Sequence, residues 1–349
     1  MKQTVLDSLN GGLLAALKAD ESVFLLGEDI LDPYGGAFKV TRGCSSAFSE
    51  RVIQTPISEA GLAGVAAGMS LRGLRPVLEI MFGDFTTLLA DQLINHISKF
   101  RWMYNGSVSV PLVIRTPMGG RRGYGPTHSQ TLEKLYLGVP GLTVLAPAGF
   151  SMPDDGFTPG KLLENAILHT DSPVLFVENK LQYLLPLLSR EDLQDFELDV
   201  RYDPADSGKS LPIFVLRIKG APPATLSMTA YGYMSELARR AQYKLAFEEE
   251  LFTELIIPTR LSPFALQPLE DSVSRTGKVL LIEEGTRTMG WGAEVSARLV
   301  EKLGGKVKQL RRVAARETPV PAAVTLEQDT LPQEKDIEAA IRKMSETNG

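Results

Sequence analysis

Two hydrophobic patterns alternate along the first half of the chain. Short, continuous apolar runs are typical of buried strands, and apolar residues spaced three or four apart are typical of amphipathic helices. These patterns predict strands at 23–29, 75–82, 110–117, 142–148 and 173–180, and helices at 3–19, 59–73, 85–105 and 160–169. Strands that alternate with helices form a largely parallel sheet with helices on both faces. We therefore predict an α/β fold whose ligands bind at the carboxyl ends of the strands.

A stretch rich in Pro, Asp and Ser separates this half from a second α/β set. Residues 186–224 lose the alternating pattern, and we interpret them as an inter-domain connection. The pattern then returns, with strands predicted at 225–232, 252–259, 277–285 and 306–313, and helices at 233–248, 268–276, 290–303 and 335–344. The sequence thus predicts two α/β domains, at 1–185 and 225–349.

Composition narrows the class of protein. A chain of 349 residues with 44% apolar and 23% charged residues is long enough for two domains with sizeable cores. A net charge of −5 without a Lys/Arg block argues against a nucleic-acid partner. The single cysteine, Cys44, is typical of a reducing compartment, and the sequence has no export signal or membrane-spanning stretch. We therefore predict a cytoplasmic protein with no membrane partner.

One carboxylate stands out in the segment "TPISEAGLAGVAAG" at 55–68. Ser58 is a suitable N-cap and an acidic residue in the first helical turn interacts favourably with the helix dipole, so Glu59 has an ordinary structural explanation. However, Gly61, Gly64 and Gly68 leave one face of this helix without side chains, where another backbone or a ligand can approach closely. A carboxylate beside such a face is expected to be partly buried, which makes Glu59 a candidate for proton transfer.

Among the three histidines, His128 is the candidate for chemistry because it lies in the glycine-rich loop "GGRRGYGPTHSQ" at 119–130. A lone histidine in a loop is more often structural, and we place His96 on a helix and His169 at an exposed turn. The chain has no GxxxxGK[ST] loop, no GxGxxG turn, no HExxH or CxxC pair and no GxSxG elbow. These absences argue against a nucleoside triphosphatase, a dinucleotide enzyme, a zinc enzyme and an α/β-hydrolase.

Several segments, taken together and in this order, carry a family resemblance: "FLLGEDI", "RVIQTPISEAGLAGVAAGMSLRGLRPVLEI", "FGDFTTLLADQLINHISKFRWMYNG", "GPTHSQTLEKLYLGVPGLTVLAPA" and "VLLIEEGTRTMGWGAEV". Over nearly its whole length the chain resembles the β subunit of the thiamine-diphosphate-dependent 2-oxo-acid dehydrogenases, the first component of the pyruvate and branched-chain complexes. The resemblance implies a pyrimidine-binding thiamine-diphosphate fold followed by a transketolase C-terminal-like domain.

The same resemblance implies roles for individual residues. The residue that matches Glu59 hydrogen-bonds N1′ of the aminopyrimidine ring and promotes the tautomer that activates the cofactor. Ile57 lines the pyrimidine pocket, and Phe85 stacks on the ring. Glu28 supports the network around Glu59. His128 reaches the reacting end of the cofactor, where it stabilises charge or moves protons.

One half of the cofactor site is missing from this chain. Relatives hold the diphosphate through a divalent metal bound by a Gly-Asp-Gly motif with a downstream asparagine, and the only Gly-Asp pair here lies in "GDF" at 83–85. The resemblance therefore implies an α subunit that supplies the diphosphate and Mg²⁺ site, an α2β2 heterotetramer, and a lipoyl acyltransferase as a further partner. The substrate is then a small 2-oxo acid, whose carboxylate, or an acidic patch on a partner, is suggested to contact Arg121 or Arg122.

Three functions stay open at this point. The leading hypothesis is an oxidoreductase subunit that helps to decarboxylate a 2-oxo acid and to acylate a lipoyl domain. The alternative is a two-chain transketolase-like or acyloin-forming transferase that uses the same cofactor without lipoamide, and the third is a scaffold subunit without catalysis. A structural potassium site near Leu112 and Ala166 is also open, because some family members bind potassium there through main-chain carbonyls and the turn "AILHTDSP" is slightly longer here.

Overall fold

The computed structural model describes residues 2–203, 206, 208 and 210–346. The strands, numbered in chain order, are β1 Val23–Gly27, β2 Val52–Gln54, β3 Arg75–Glu79, β4 Val113–Met118, β5 Thr143–Leu145, β6 Val174–Asn179, β7 Phe196–Tyr202, β8 Pro212–Ile218, β9 Leu226–Ala230, β10 Thr253–Pro258, β11 Arg260–Ser262, β12 Lys278–Thr286 and β13 Gln309–Ala315. The α-helices are α1 Val5–Ala19, α2 Cys44–Ala47, α3 Glu59–Leu71, α4 Phe100–Met103, α5 Pro159–His169, α6 Tyr233–Glu249, α7 Gln267–Thr276, α8 Trp291–Leu303, α9 Val324–Thr330 and α10 Glu334–Ser345. No helix in the described part of the chain has both the length and the hydrophobicity needed to cross a bilayer.

The first sheet has the order β11-β5-β6-β4-β3-β1-β2 and is parallel except where β11 pairs with β5. Its central strands are buried on both faces, as their continuous apolar runs predict. Successive residues point to opposite sides, so Val77 and Val113 join a core with α1 and α5, whereas Leu78 and Ile114 join a core with α3. The prediction of an α/β fold with a largely parallel first sheet is confirmed.

Helices α1 and α5 pack unusually closely on one face of this sheet. A Cβ atom added at Gly12 would lie 2.2 Å from the carbonyl oxygen of Gly160, and one added at Gly160 would lie 1.9 Å from that of Ser8. Only glycine allows this approach of two backbones. The start of α1 is fixed by Thr4 and Asp7, whose side chains and backbones form a capping box.

The second sheet has the order β13-β12-β9-β10-β8-β7 and includes antiparallel strands that the sequence pattern did not predict. β7 and β8 lie within 186–224, pair with each other, and attach to β10 in antiparallel register. The Pro, Asp and Ser residues between and around these strands mask their apolar runs, although β8 is almost entirely buried. Residues 204, 205, 207 and 209 of this stretch lie outside the described residues. The boundaries at 185 and 225 stay a prediction.

The helix predicted at 85–105 is replaced by three short helices. The structure has a 3₁₀-helix at Gly83–Leu89, a π-helix at Gln92–Ile97 and then α4. The Thr86 hydroxyl donates to the Gly83 carbonyl at 2.7 Å and the Thr87 hydroxyl donates to that of Asp84 at 2.9 Å. Such local bonds compete with the regular α-helical ladder. The irregular geometry holds the side chains of the "FGDF" segment at the end of β3.

Candidate active site

The sequence-predicted residues meet along one edge of the first sheet. Glu28 follows β1, Glu59 begins α3 just after β2, Phe85 follows β3, and His128 lies in the loop after β4. Strands β4, β3, β1 and β2 are neighbours in that order and run parallel, so their carboxyl ends lie side by side. The topology therefore brings together four loops that are far apart in sequence, at the edge where α/β sheets bind ligands.

Glu59 and Glu28 form a pair of carboxyl groups at this edge. Glu59 is 7% exposed, and no side chain in the described residues donates a hydrogen bond to its carboxylate. Ser58 is the N-cap residue of α3, but its hydroxyl makes no capping bond. Burial, followed by the negative charge of Glu59, raises the pKa of Glu28 above its ordinary value. Glu28 therefore retains a proton more readily than an ordinary carboxyl group, and it lies beside the buried carboxylate of Glu59.

His128 is held by aromatic rings on the neighbouring loop. Its imidazole lies edge to face with Phe82 and with Phe85, at ring-centroid distances of 4.8 and 5.2 Å. The Thr127 hydroxyl lies 2.9 Å from Nδ1 of the same ring. Helix α3 packs against the 3₁₀-helix that carries Phe85, which ties this aromatic group to the element that carries Glu59.

Asp84 links the two loops and was not identified from the sequence. Its Oδ1 accepts a hydrogen bond of 2.9 Å from the side-chain amide of Gln130, two residues after His128. Its Oδ2 is buried and has no hydrogen-bond partner in the described part of the chain. A buried carboxylate oxygen without a donor is costly, so a ligand or water that donates to it is favoured.

Ile57 and the glycine face of α3 are uncovered. Ile57 is 81% exposed. Gly61, Gly64 and Gly68 are all exposed, and a Cβ atom added at Gly68 would meet no other atom within 4 Å. Ile57 and this glycine face therefore lie beside the carboxylate pair, and no other element of the described residues covers them.

The side chain of Arg121 makes contacts within the chain, and its suggested contact with a substrate or partner stays a prediction. Its Nη2 donates to the carbonyl of Pro332 at 2.5 Å, and its guanidinium lies 5.4 Å from the ring centre of Tyr233. Both contacts fix the loop to the second half of the molecule. Arg122 is exposed, and its suggested contact with a substrate or partner stays a prediction.

The turn that was considered for potassium already contains a positive charge. The carbonyl of Leu112 accepts from the Val174 amide at 2.9 Å, and that of Ala166 accepts from the Thr170 hydroxyl at 2.7 Å. Nη1 of Arg75 donates to the carbonyls of Ile167 and Thr170 at 3.0 and 2.9 Å. The residues here therefore do not fit a bound cation. Elsewhere in the described residues, no group of three or more His, Cys, Asp or Glu side chains could hold a metal.

Comparisons with known proteins assign each half of the chain to a family. Residues 2–184 match the family "Transketolase, pyrimidine binding domain", and residues 223–337 match "Transketolase, C-terminal domain". The chain is 34% identical over 344 residues to "Pyruvate dehydrogenase E1 component subunit beta-2, mitochondrial" of Oryza sativa subsp. japonica, covering 98% of this chain and 86% of the relative. The chain belongs to the transketolase-like family of 2-oxo-acid dehydrogenase β subunits.

Other members of this β-subunit family match to a similar extent. The human "Pyruvate dehydrogenase E1 component subunit beta, mitochondrial" is 33% identical over 347 residues, with 98% of this chain and 90% of the relative covered. Both relatives are named as mitochondrial proteins, which contradicts the cytoplasmic location predicted from the sequence. A solved "Split gene transketolase, inactive beta4 tetramer" superimposes with a TM-score of 0.73 and 19% identity over 98% of both chains, and shows the same fold.

The sequence analysis also did not identify three charged residues beside the His128 loop, which are Lys180, Glu284 and Glu327. Lys180 and Glu284 interrupt the apolar runs of "PVLFVENK" and "VLLIEEG", which is the signal that could have found them, since a charge at the end of a buried strand needs an explanation. Glu327 lies on the seven-residue helix α9, where the sequence pattern carries no comparable signal.

Proposed function

We propose that this chain is the β subunit of a 2-oxo-acid dehydrogenase that, with an α subunit, decarboxylates a 2-oxo acid through thiamine diphosphate and transfers the acyl group to a lipoyl domain. The observation that carries the proposal is the buried Glu59, paired with Glu28 and lying on the same sheet edge as Phe85 and His128. The match to pyruvate dehydrogenase β subunits over 98% of the chain supports it.

The exposed and buried groups at this edge fit the aminopyrimidine half of the cofactor. Glu59 offers a buried carboxylate without a donor of its own, and Phe85 offers a half-buried aromatic face. Ile57 offers an uncovered apolar side chain. The orphaned Oδ2 of Asp84 is a further acceptor on the same loop as Phe85. When it is bound, thiamine diphosphate supplies the electron sink that the cleavage of a carbon–carbon bond beside a carbonyl group requires.

In this proposal the protein residues hold and move protons. Glu59 shares a proton with the pyrimidine ring nitrogen, and Glu28 lies beside it with a pKa raised by burial and by the charge of Glu59. His128 stands at the reacting end, where the edges of its ring are fixed by Phe82 and Phe85. There it donates or accepts a proton as charge develops on the substrate.

An α subunit completes the site in this proposal. The chain lacks the Gly-Asp-Gly motif, so the α subunit would supply the diphosphate and Mg²⁺ ligands in an α2β2 assembly. The uncovered glycine face of α3 and the exposed Ile57 support a close partner at this edge. The lipoyl acyltransferase is proposed as the acceptor complex. A transketolase-like or acyloin-forming function is not favoured, because the similar β subunits are named as pyruvate dehydrogenase components.

The test uses the native assembly. The tagged chain is isolated from its own cells under gentle conditions, its partners are identified by mass spectrometry, and decarboxylation is assayed with pyruvate as the probe and an artificial electron acceptor. Glu59→Gln removes the shared proton without changing shape, so turnover is expected to fall by about a hundredfold or more. Glu50→Gln is the matched control, because Glu50 is exposed on the loop before β2.

Two outcomes would contradict the proposal. Normal turnover of the assembled Glu59→Gln enzyme would remove Glu59 from the mechanism. If a purified lipoyl domain is not acylated by an assembly that does decarboxylate pyruvate, the acyl acceptor is wrong even though the cofactor chemistry is right.

A further inference from the structure

The first part of the His128 loop is anchored by carboxylates from the second half of the chain. The amide of Gly120 donates to Glu284 Oε1 at 2.8 Å. The amide of Arg121 donates to Glu327 Oε1 at 2.8 Å, and the amide of Gly123 donates to Glu327 Oε2 at 3.2 Å. Hydrogen bonds to ionised acceptors are stronger than neutral ones. The backbone amides at this end of the loop are therefore satisfied by negative charge.

The two ends of the loop meet at one buried ammonium group. Lys180 follows β6 and is 0% exposed. Its Nζ donates to the Gly119 carbonyl at 2.7 Å and to the carbonyl of His128 itself. It also faces the rings of Phe82 and Tyr124, 5.1 and 5.8 Å from their centres. Lys180 and His128 therefore contact the same ring of Phe82 as well as each other.

This ammonium group has no close counter-ion. No carboxylate in the described residues lies within ion-pair distance of Lys180, and its burial lowers its pKa to about 8. The other charged groups around it are Asp84 from the 3₁₀-helix, Arg122 from the loop, Glu284 from β12 and Glu327 from α9. Each of the three carboxylates already accepts a hydrogen bond from the His128 loop or its continuation to Gln130. A neutral donor would satisfy the same two carbonyls, so the buried charge calls for a further reason.

We propose that Lys180 is a positioning residue for His128: its hydrogen bonds to the Gly119 and His128 carbonyls close the loop beneath the histidine, and its contact with Phe82 holds the ring on which the imidazole packs. The inference deepens the proposed function and rests on it in assuming that His128 acts on the substrate. The cation–π contact is the part that a neutral donor could not supply. The loop carbonyls and the Phe82 ring together fix where the His128 imidazole lies.

The experiment compares three variants in the purified assembly with the α subunit. Lys180→Gln keeps amide donors for the two carbonyls and removes the charge, and Lys180→Met removes both. Lys134→Met is the matched control, because Lys134 also donates to a hydroxyl and a carbonyl, those of Thr286 and Thr288, without touching the loop. The ring signals of His128 are read by NMR after labelling with ¹³C-histidine, since the chain has only three histidines and His128→Asn assigns the signal.

We expect Lys180→Met to change the NMR signals of the His128 ring and to lower kcat by roughly a hundredfold while KM changes by less than about threefold, because the loop loses its closure. Lys180→Gln keeps donors for the two carbonyls and loses only the cation that faces Phe82, so it should recover part of that loss. Unchanged ring signals, or wild-type kcat, in a folded Lys180→Met enzyme would overturn the positioning role.

The design separates this inference from the function on which it rests. If His128→Asn leaves turnover unchanged, the proposed role of His128 on the substrate fails, while the NMR signals still report the effect of Lys180 on the His128 ring. If His128→Asn abolishes turnover and Lys180→Met changes neither the ring signals nor kcat, only the inference about Lys180 fails.

Discussion

Glu283 is a buried carboxyl group in β12, on the far side of the strand from Glu284, and it lies outside the proposed active site. It is 1% exposed, and its Oε2 accepts a hydrogen bond of 3.2 Å from the Gly292 amide. Its Oε1 has no hydrogen-bond partner among the described residues. Burial, reinforced by the negative charge of Glu133, raises the pKa of Glu283 to about 7. The folded protein therefore holds a proton that the unfolded chain releases at lower pH.

This difference makes stability depend on pH in a defined direction. Between the ordinary carboxyl pKa and about 7, the folded state binds more protons than the unfolded state, so raising the pH through this window lowers the free energy of unfolding. Glu283→Gln mimics the protonated form. It should match the wild type at pH 4 and exceed it by about 3 kcal/mol at pH 8.

The measurement is the free energy of unfolding in urea, with the melting temperature as a second readout, at both pH values. Glu301→Gln is the control, because Glu301 is exposed on the adjacent helix α8. A constant difference between Glu283→Gln and wild type across the pH range would show that Glu283 does not hold a proton in the folded state.

Single residues were predictable where the sequence context was unusual. Glu59 stood out against a run of small residues and is buried, whereas Lys180 is marked only by its place at the end of an apolar run and Glu327 has ordinary neighbours in sequence. Their importance to the loop comes from bonds that span 52 and 206 positions along the chain. Contacts of that range are set by topology, and no local pattern contains them.

At the carboxyl end of α5, one side chain from another element satisfies two carbonyl groups. Nη1 of Arg75 donates to the carbonyls of Ile167 and Thr170, at the carboxyl end of α5. Asp171 and Asp20 lie 3.6 and 3.8 Å from the same guanidinium. The carbonyls at a helix carboxyl end carry partial negative charge, so a cation there is favourable. A guanidinium thus occupies the place where a bound monovalent cation was considered.

Removal of this guanidinium should destabilise the first sheet and its helices. Arg75→Met leaves two carbonyls without their charged donor, at an expected cost of about 1.5–3 kcal/mol. Arg72→Met is the control, because Arg72 is an exposed arginine at the carboxyl end of α3, three positions before Arg75. The melting temperature is measured for both variants in potassium and in sodium buffers.

We expect the wild-type melting temperature to be the same in the two salts, because Arg75 already supplies the positive charge. A potassium-specific increase in the wild type would mean that the turn binds the ion in spite of the guanidinium. Equal melting temperatures for Arg75→Met and Arg72→Met would show that the bonds to α5 contribute nothing to stability.

Elements were predictable where one pattern dominated a long segment. Helices α1, α3, α5 and α6 and the central strands of both sheets follow their periodicity. The segment after β3 has a helical pattern, but threonine hydroxyls bond to its own backbone and break the α-helix. Strand β11 has only three residues and pairs with β5, which is more than a hundred positions away, so its place depends on the tertiary fold.

The two halves of the molecule contact each other at one edge of the first sheet and at the His128 loop. Strand β11 comes from the second half and extends the first sheet, and Glu284 and Glu327 reach the His128 loop from the second half. The second half thus shapes the His128 loop. The opposite side of the site, along α3, has no such cover from the described part of the chain.

That uncovered face gives the last prediction, which concerns assembly. A Cβ atom added at Gly64 would have only Gln92 Oε1 within 4 Å, at 3.9 Å, and one added at Gly68 would have no atom within 4 Å. Gly64→Leu and Gly68→Leu should therefore stabilise the isolated chain by up to about 1 kcal/mol each, because glycine is a poor helix former. If the α subunit packs on this face, the same side chains should prevent its binding.

The α3 variants are expected to stabilise the isolated chain but to weaken its binding to the α subunit, so melting temperature and assembly are measured together. Gly11→Leu is the control, because Gly11 is an exposed glycine inside α1 with no atom within 4 Å of an added Cβ. It should raise the melting temperature of the isolated chain and leave recovery of the α subunit unchanged in native mass spectrometry. The α3 variants should raise the melting temperature and lose the α subunit. A backbone cannot approach within van der Waals contact of a helix whose glycines have been replaced by leucine. Full assembly with leucine at both α3 positions would therefore place the α subunit elsewhere and leave the glycine face of this helix without a partner.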